Sequence, residues 1–346
     1  MKKHLAEKSQ KSRGFPYFME RLFQKMNRYV SDAVFYRQGD LQNILIISSR
    51  RSGSTYLSKL VCSNSGTRFI DQPFDLFRPH TDRGQIKKKN LPSVDQSQFI
   101  SFNGNKKIIM EYTSSLLSGK LKPLGVFPRS HIWLPASRTV IKICNASSLI
   151  NWFGENFDVQ ILFLIRHPIA QACSVMNQGW GITSQAFLNN SYYVNRYLNP
   201  KQINYAEKII AEGSYFQNAV LNWIFENYAP LFDLRIDALI VTYEELVMKP
   251  FKMVNFLSKK LVLKEIEAML ELINKPSQSE KFIQKKKIEE IEMGNRLALI
   301  SGWVDEVSDQ ERDEVGSLLE LFGISAYNSR QIWPDEKMLH FNCDNS

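Results

Sequence analysis

The sequence predicts an α/β protein, a three-layer, doubly wound parallel sheet with helical insertions. Short β-branched apolar runs alternate with helix-length amphipathic stretches, the pattern of strands joined by crossover helices. The runs are apolar at consecutive positions, as strands buried on both faces require. A chain of 346 residues with 44% hydrophobic and 12% aromatic residues can also bury a large core, which excludes a disordered or fibrous protein.

In chain order, the first strand is expected at 43–48, where Asn-Ile-Leu-Ile-Ile-Ser follows Gly39-Asp40, and a helix at 55–62 follows it across a Ser/Arg/Gly turn. Strands at 139–144 and 159–165 are each followed by a helix, at 149–157 and 168–178. One long amphipathic helix, with Ile209, Ile210, Phe216, Val220, Trp223, Ile224 and Tyr228 on a stripe, then leads to a strand at 238–242. Before this domain, Lys2, Lys3, Lys8, Lys11 and Arg13 mark a mobile arm. Phe18, Leu22, Met26, Tyr29, Val30 and Ala33 form a helical stripe that suits either a membrane surface or the protein's own core. The expected division is 1–40 for arm and helix, 41–330 for the domain, and 331–346 for a C-terminal tail.

Charge narrows the partners without naming one. The formal net charge is +9, which fits a nucleic acid, an acidic membrane, a phosphate-bearing cofactor, an anionic acceptor, or a merely solvated surface. The basic segments at 78–107 and 275–297, the latter with Lys281 and Lys285 to Lys287, are candidate lids or plain exposed loops. They lack interleaved aromatics and any nucleic-acid motif, so no nucleic-acid partner is expected. Cys62, Cys144, Cys173 and Cys343 show no C-x-x-C spacing, which points to a reduced, cytoplasmic setting and to neither a disulfide framework nor a metal site. No apolar segment follows Met1-Lys2-Lys3-His4 before Phe15, and no run approaches the ~20 residues of a membrane span.

The informative segment is Ser48-Ser49-Arg50-Arg51-Ser52-Gly53-Ser54-Thr55. Set against the phosphate-binding loop G-x-x-x-x-G-K-[ST], Gly53 and Thr55 take the second Gly and the Ser/Thr, whereas Ser48 replaces the first Gly and Ser54 the Lys. A nucleoside triphosphatase needs that Lys, so such chemistry is disfavoured. What remains is a helix start with hydroxyls and two arginines, suited to a tetrahedral anion. A second constellation is Arg166-His167-Pro168 with Ser174: an Arg closing a strand, then Pro in the first helical turn. It reads either as a second anion site or as a structural Arg.

Together these segments resemble the sulfotransferases that use 3′-phosphoadenosine 5′-phosphosulfate. Arg51-Ser-Gly-Ser-Thr55 is similar to that family's R-S-G-[ST]-T loop, Arg166-His-Pro168 with Ser174 to its R-x-P…S element, and Tyr243-Glu-Glu-Leu246 with Pro250 to its Y-E-x-L…P segment. Trp303 ahead of a helix at 310–322 also fits. The resemblance implies a P-loop-like fold and a sulfuryl donor whose 5′-phosphosulfate is held by Arg51, Ser52, Gly53, Ser54 and Thr55. Arg166 and Ser174 would hold the 3′-phosphate. It further implies an acceptor hydroxyl on a carbohydrate, lipid or small metabolite, and a carboxylate base.

Aligned through Pro73, the family's catalytic Glu falls on Asp75, with Gln72 at an earlier Glu; Asp75 also suits a helix cap, and Asp71, Glu111 and His131 are alternatives. Lys142 matches a Lys common in relatives, or is a strand-end Lys reaching solvent. His167 stands where Asp is usual, and Lys285 to Lys287 or Arg296 suit a late basic loop. Two other classes stay open: a noncatalytic nucleotide-dependent binding protein on this fold, and another P-loop-type phosphoryl enzyme.

Overall fold

The computed structural model describes residues 36–77, 91–92, 94, 96–121, 136–274 and 294–339. The stripe at 18–33, Arg78, Arg83, Lys87 to Lys89, His131, Lys281 and Lys285 to Lys287 lie outside the described residues. Five strands form one parallel sheet in the order β2-β3-β1-β4-β5. They are β1 (Asn43–Ser48), β2 (Thr67–Asp71), β3 (Arg138–Ile143), β4 (Val159–Ile165) and β5 (Ala238–Thr242).

Fourteen α-helices are described: α1 (Ser54–Cys62), α2 (Lys106–Leu117), α3 (Ile150–Asn156), α4 (Pro168–Met176), α5 (Ser184–Leu188), α6 (Ser191–Tyr197), α7 (Pro200–Glu212), α8 (Tyr215–Phe232), α9 (Tyr243–Met248), α10 (Pro250–Leu261), α11 (Ile266–Leu270), α12 (Arg296–Ser301), α13 (Asp309–Leu321) and α14 (Glu336–Leu339). Among the described residues no helix is long and apolar enough to cross a membrane.

The pleat of β1 explains the three layers. All six of its residues are buried. Leu45 and Ile47 join one core with Ile141, Ile143, Phe163 and residues of α2, α3, α4 and α8. Ile44 and Ile46 point the other way, to a second core with Val140, Leu162, Leu164, Val241 and the apolar faces of α1 and α10. Each such side chain contributes ~1.5–3 kcal/mol on burial, so a strand apolar at every position is stable only between two helical layers.

Four strands lie where the sequence places them, and β2 is the addition. It is an edge strand whose sequence, Thr-Arg-Phe-Ile-Asp, buries only Thr67 and Ile70. Arg68 and Asp71 interrupt the apolar pattern by which the inner strands are recognised.

The single long helix expected before β5 is two helices. α7 ends at Glu212 and α8 begins at Tyr215, with Gly213 extended between them (φ −73°, ψ 157°) and Ser214 closing a reciprocal cap with Gln217. A continuous stripe of apolar residues cannot register such a break, because both helices bury the same side. Inside α8, Pro230 has no N–H to offer the Glu226 carbonyl, which instead accepts from the Ser147 hydroxyl.

Strand order also sets where a ligand can sit. The chain leaves β1 through α1 toward the β2 edge and leaves β4 through α4 toward the β5 edge, so adjacent strands diverge and open a crevice at their carboxyl ends.

A Cβ at Gly213 would lie 2.5 Å from the Ile209 carbonyl oxygen. Gly213→Ala is expected to lower stability by about 1–3 kcal/mol, read as a lower urea midpoint at unchanged slope.

Candidate active site

The turn from β1 to α1 is held by left-handed backbone and buried hydroxyls. Arg51 has φ 67° and Gly53 φ 96°, and Ser52, fully buried, donates to the Ser49 carbonyl at 2.8 Å. A Cβ on Gly53 would fall 2.4 Å from the Tyr243 ring, so only glycine fits. α1 then starts at Gly53 with no side chain capping it, which leaves the first N–H groups of the helix for an anion. Ser54 Oγ lies 3.3 Å and Ser48 Oγ 3.4 Å from the Cys144 sulfur, buried at the end of β3.

The two arginines of this turn have different fates. Arg50 is drawn inward: its Nε donates to Glu226 at 3.0 Å, and its guanidinium also reaches the Gly181 carbonyl and Thr183. Glu226 is 1% exposed and is held as well by Gln98 and Asn222, so this pair fastens the 179–183 segment to α8. Arg51 instead donates through Nε to Ser174 Oγ at 3.1 Å, with its guanidinium 5.4 Å from the Trp180 ring.

Arg166 closes β4 beside that turn. Its Nη1 donates to the Arg51 carbonyl at 3.1 Å, which binds the two sequence segments directly to each other. Its guanidinium lies 4.3 Å over the Tyr243 ring, and its Nε, in a residue 9% exposed, has no hydrogen-bond partner. A buried cationic donor without a partner is a place for an anion.

Behind it, His167 begins α4. Its backbone N–H donates to Glu244 at 2.9 Å, and its ring stacks on Trp303 at 4.5 Å. Since a carbonyl only accepts, the 3.1 Å contact with the Asn328 carbonyl places the ring proton on Nε2. Burial drives the imidazole down to about 4, against the effect of that carbonyl. Burial likewise raises the Glu244 carboxyl, against the His167 N–H and the Tyr327 hydroxyl that donate to it. His167 is thus a buried neutral spacer, and the late segment at Trp303 and Tyr327 braces it.

In front of the two arginine-bearing turns lies a cavity of about 760 Å³, within the size range of cofactor sites. Arg51, Gly53, Ser54, Thr55, Asp75 and Arg166, all expected from the sequence, line it. Ser174 is reached through Arg51, and the Ser52 hydroxyl is committed beneath the turn. Asp75 follows a tight turn at Gln72, whose φ is 48°, and no helix begins at it, so the capping alternative does not apply. Lys142 does not reach solvent: it is 5% exposed, lines the cavity, and pairs with Asp71 at 2.7 Å. Glu111 is exposed on α2 and is not part of this lining.

Sequence reasoning passed over Ser97, Asn145 and Trp180, which also line the cavity. Asn145 and Trp180 follow a strand and a helix end, and Ser97 lies between β2 and α2, positions that each shares with many other loop residues.

No family model matches the chain, and no curated protein matches it. Among solved structures it is similar to mouse sulfotransferase SULT7A1 complexed with PAP, at 12% identity over 84% of this chain and 86% of that one, TM-score 0.38. It is also similar to the sulfotransferase domain from the Synechococcus PCC 7002 olefin synthase, at 16% identity over 85% and 98%, TM-score 0.39. A third is retinol dehydratase in complex with androsterone and inactive cofactor PAP, at 14% identity over 81% and 80%, TM-score 0.34. Likenesses this distant carry no residue's role over to this chain.

Two outcomes follow from the geometry. Gly53→Ala is expected to cost about 2–4 kcal/mol, with part of the loss recovered by adding Tyr243→Ala, measured by chemical denaturation of both variants. For His167, the folded value near 4 lies below the unfolded value near 6.5, so the unfolded chain takes up the proton first as pH falls. Its contribution is complete above pH 6.5 and declines by roughly 3 kcal/mol toward pH 4; denaturation at pH 5 and 7 should show a shallower pH dependence in His167→Phe.

Proposed function

We propose that the chain transfers a sulfuryl group from 3′-phosphoadenosine 5′-phosphosulfate to an acceptor hydroxyl. The observation that carries this reading is the joining of two anion-binding turns: the Arg166 guanidinium is bonded to the Arg51 backbone while the Arg51 guanidinium is bonded to Ser174. Such an arrangement fits a ligand with two separated phosphates. The position where a triphosphatase carries Lys is Ser54, turned to Cys144.

The residues fit the donor. The uncapped start of α1 with Thr55 and Arg51 would take the 5′-phosphosulfate, and the unpartnered Arg166 Nε with Ser174 the 3′-phosphate. Bound there, the donor supplies an activated sulfuryl group on a phosphate leaving group. Lys142 Nζ, 3.4 Å from Thr55 Oγ1, would meet negative charge as it develops on that phosphate, the kind of preorganised stabilisation that dominates such transfers. Asp75, on the cavity wall, would take the acceptor's proton. Trp180 and Phe77, each 39% exposed, and Asn145 and Ser97, whose Oδ1 and Oγ are buried without a hydrogen-bond partner, form the remaining wall and suit an acceptor with both an apolar face and polar groups.

Arg51→Ala and Arg166→Ala are each expected to weaken binding of adenosine 3′,5′-bisphosphate about 10- to 100-fold, the loss of one or two charged hydrogen bonds, measured by calorimetry. Unchanged affinity in both would overturn the site assignment. Asp75→Asn should keep that affinity and lower transfer of radiolabelled sulfate to an acceptor panel by about 10²- to 10⁴-fold. A wild type that binds the nucleotide, and an Asp75→Asn variant no slower in transfer, would remove Asp75 as the base.

A further inference from the structure

Asp71 is the last residue of β2, and the parallel register sets it directly across from Lys142 of β3. Its Oδ1 lies 2.7 Å from Lys142 Nζ, with side-chain exposures of 36% for the carboxylate and 6% for the lysine. The same Nζ reaches Thr55 Oγ1, in the first turn of α1, at 3.4 Å. The carboxylate is thus half in water on the outer edge of the sheet and holds from behind a lysine that faces the cavity.

Burial alone would drive a proton off such a lysine. The groups facing it are the Asp71 carboxylate from β2, the Cys144 thiol just past the end of β3 and the Thr55 hydroxyl from α1, while Arg51, Arg166, Asp75, Tyr56 and Tyr243 line the rest of the cavity. Burial is the largest effect and pulls Lys142 down, but the charge and hydrogen bond of Asp71, together with the Cys144 thiol, outweigh it and leave the amine above its ordinary value.

We propose that Asp71 is a positioning residue for group transfer in this cavity: it holds Lys142 Nζ as an ammonium, fixed at the start of α1 where a phosphate leaving group would gain charge. The inference rests on the sulfuryl-transfer reading for the identity of that leaving group. It also removes Asp71 from the candidates for the base, because its carboxylate is already committed to a cation. An ordinary strand-to-strand ion pair at a sheet edge, worth ~0–1 kcal/mol, would not need to face a cavity or to engage a helix start.

The test separates the pair from the ligand. With ¹³C-labelled lysine side chains and no nucleotide present, the Lys142 signal, identified by its loss in Lys142→Arg, should show a charged amine throughout pH 7 to 9.5 in the wild type. In Asp71→Asn, which keeps shape but not charge, its titration midpoint should fall by a unit or more. Affinity for adenosine 3′,5′-bisphosphate should then be flat with pH in the wild type. In Asp71→Asn it should fall about tenfold per pH unit above the lowered midpoint. Asp71→Glu should restore the flat profile, and Lys142→Met should be weak and flat.

An unshifted midpoint in Asp71→Asn overturns the proposal. So does a shifted midpoint with nucleotide affinity that tracks the wild type at every pH. A shifted midpoint in a protein whose wild type binds no nucleotide supports the hold of Asp71 on Lys142 and sinks the donor reading instead.

Discussion

One aromatic ring sets the spacing of the site. Tyr243 lies against Gly53, close enough to exclude even a methyl group, and under the Arg166 guanidinium. The turn after β1 and the end of β4 therefore pack on the same ring. The Arg166 bond to the Arg51 carbonyl joins the same two segments in polar terms. Tyr243 itself begins α9 directly after β5, with Thr242 as the cap. Three strand ends thus converge on one point, and the cavity is the space they leave in front of it.

The electrostatics follow from what each cation already touches. Arg138 is buried at the other end of the sheet and donates to the carbonyls of Gln42 and Leu261. Arg50 is bonded to Glu226. The guanidinium nitrogens of both are committed to partners within the protein, in Arg50 even though it lines the cavity. Arg51, Arg166 and Lys142 face the cavity from three elements, with Asp71 behind Lys142 and Asp75 on the wall. A net charge of +9 says only that cations are in excess; burial and hydrogen bonding sort them into those that stabilise the chain and those that can meet an anion.

The support behind the arginines is equally specific. His167 stays neutral because no water reaches it, and its one proton is fixed by the Asn328 carbonyl. Trp303 and Tyr327 pack on its ring while Glu244 takes its backbone N–H. The late segment of the chain therefore bears on Arg166 from behind without entering the cavity.

The sequence by itself determined the inner strands and the two anion-binding turns. β1 and β4 are runs apolar at nearly every position, and the turns combine Gly, Pro and Arg at strand ends, so both signals are local. It did not reveal β2, where Arg68 and Asp71 break the pattern of an edge strand that buries little, nor the break at Gly213, which leaves the apolar stripe intact. Only the tertiary structure decided that Arg50, though on the cavity wall, is paired with Glu226 while Arg51 is bonded to Ser174, that Asp71 faces Lys142, and that Ser97, Asn145 and Trp180 belong to the same wall. Those outcomes depend on strand order and register, which bring together residues tens of positions apart, and no local pattern of residue types encodes that distance.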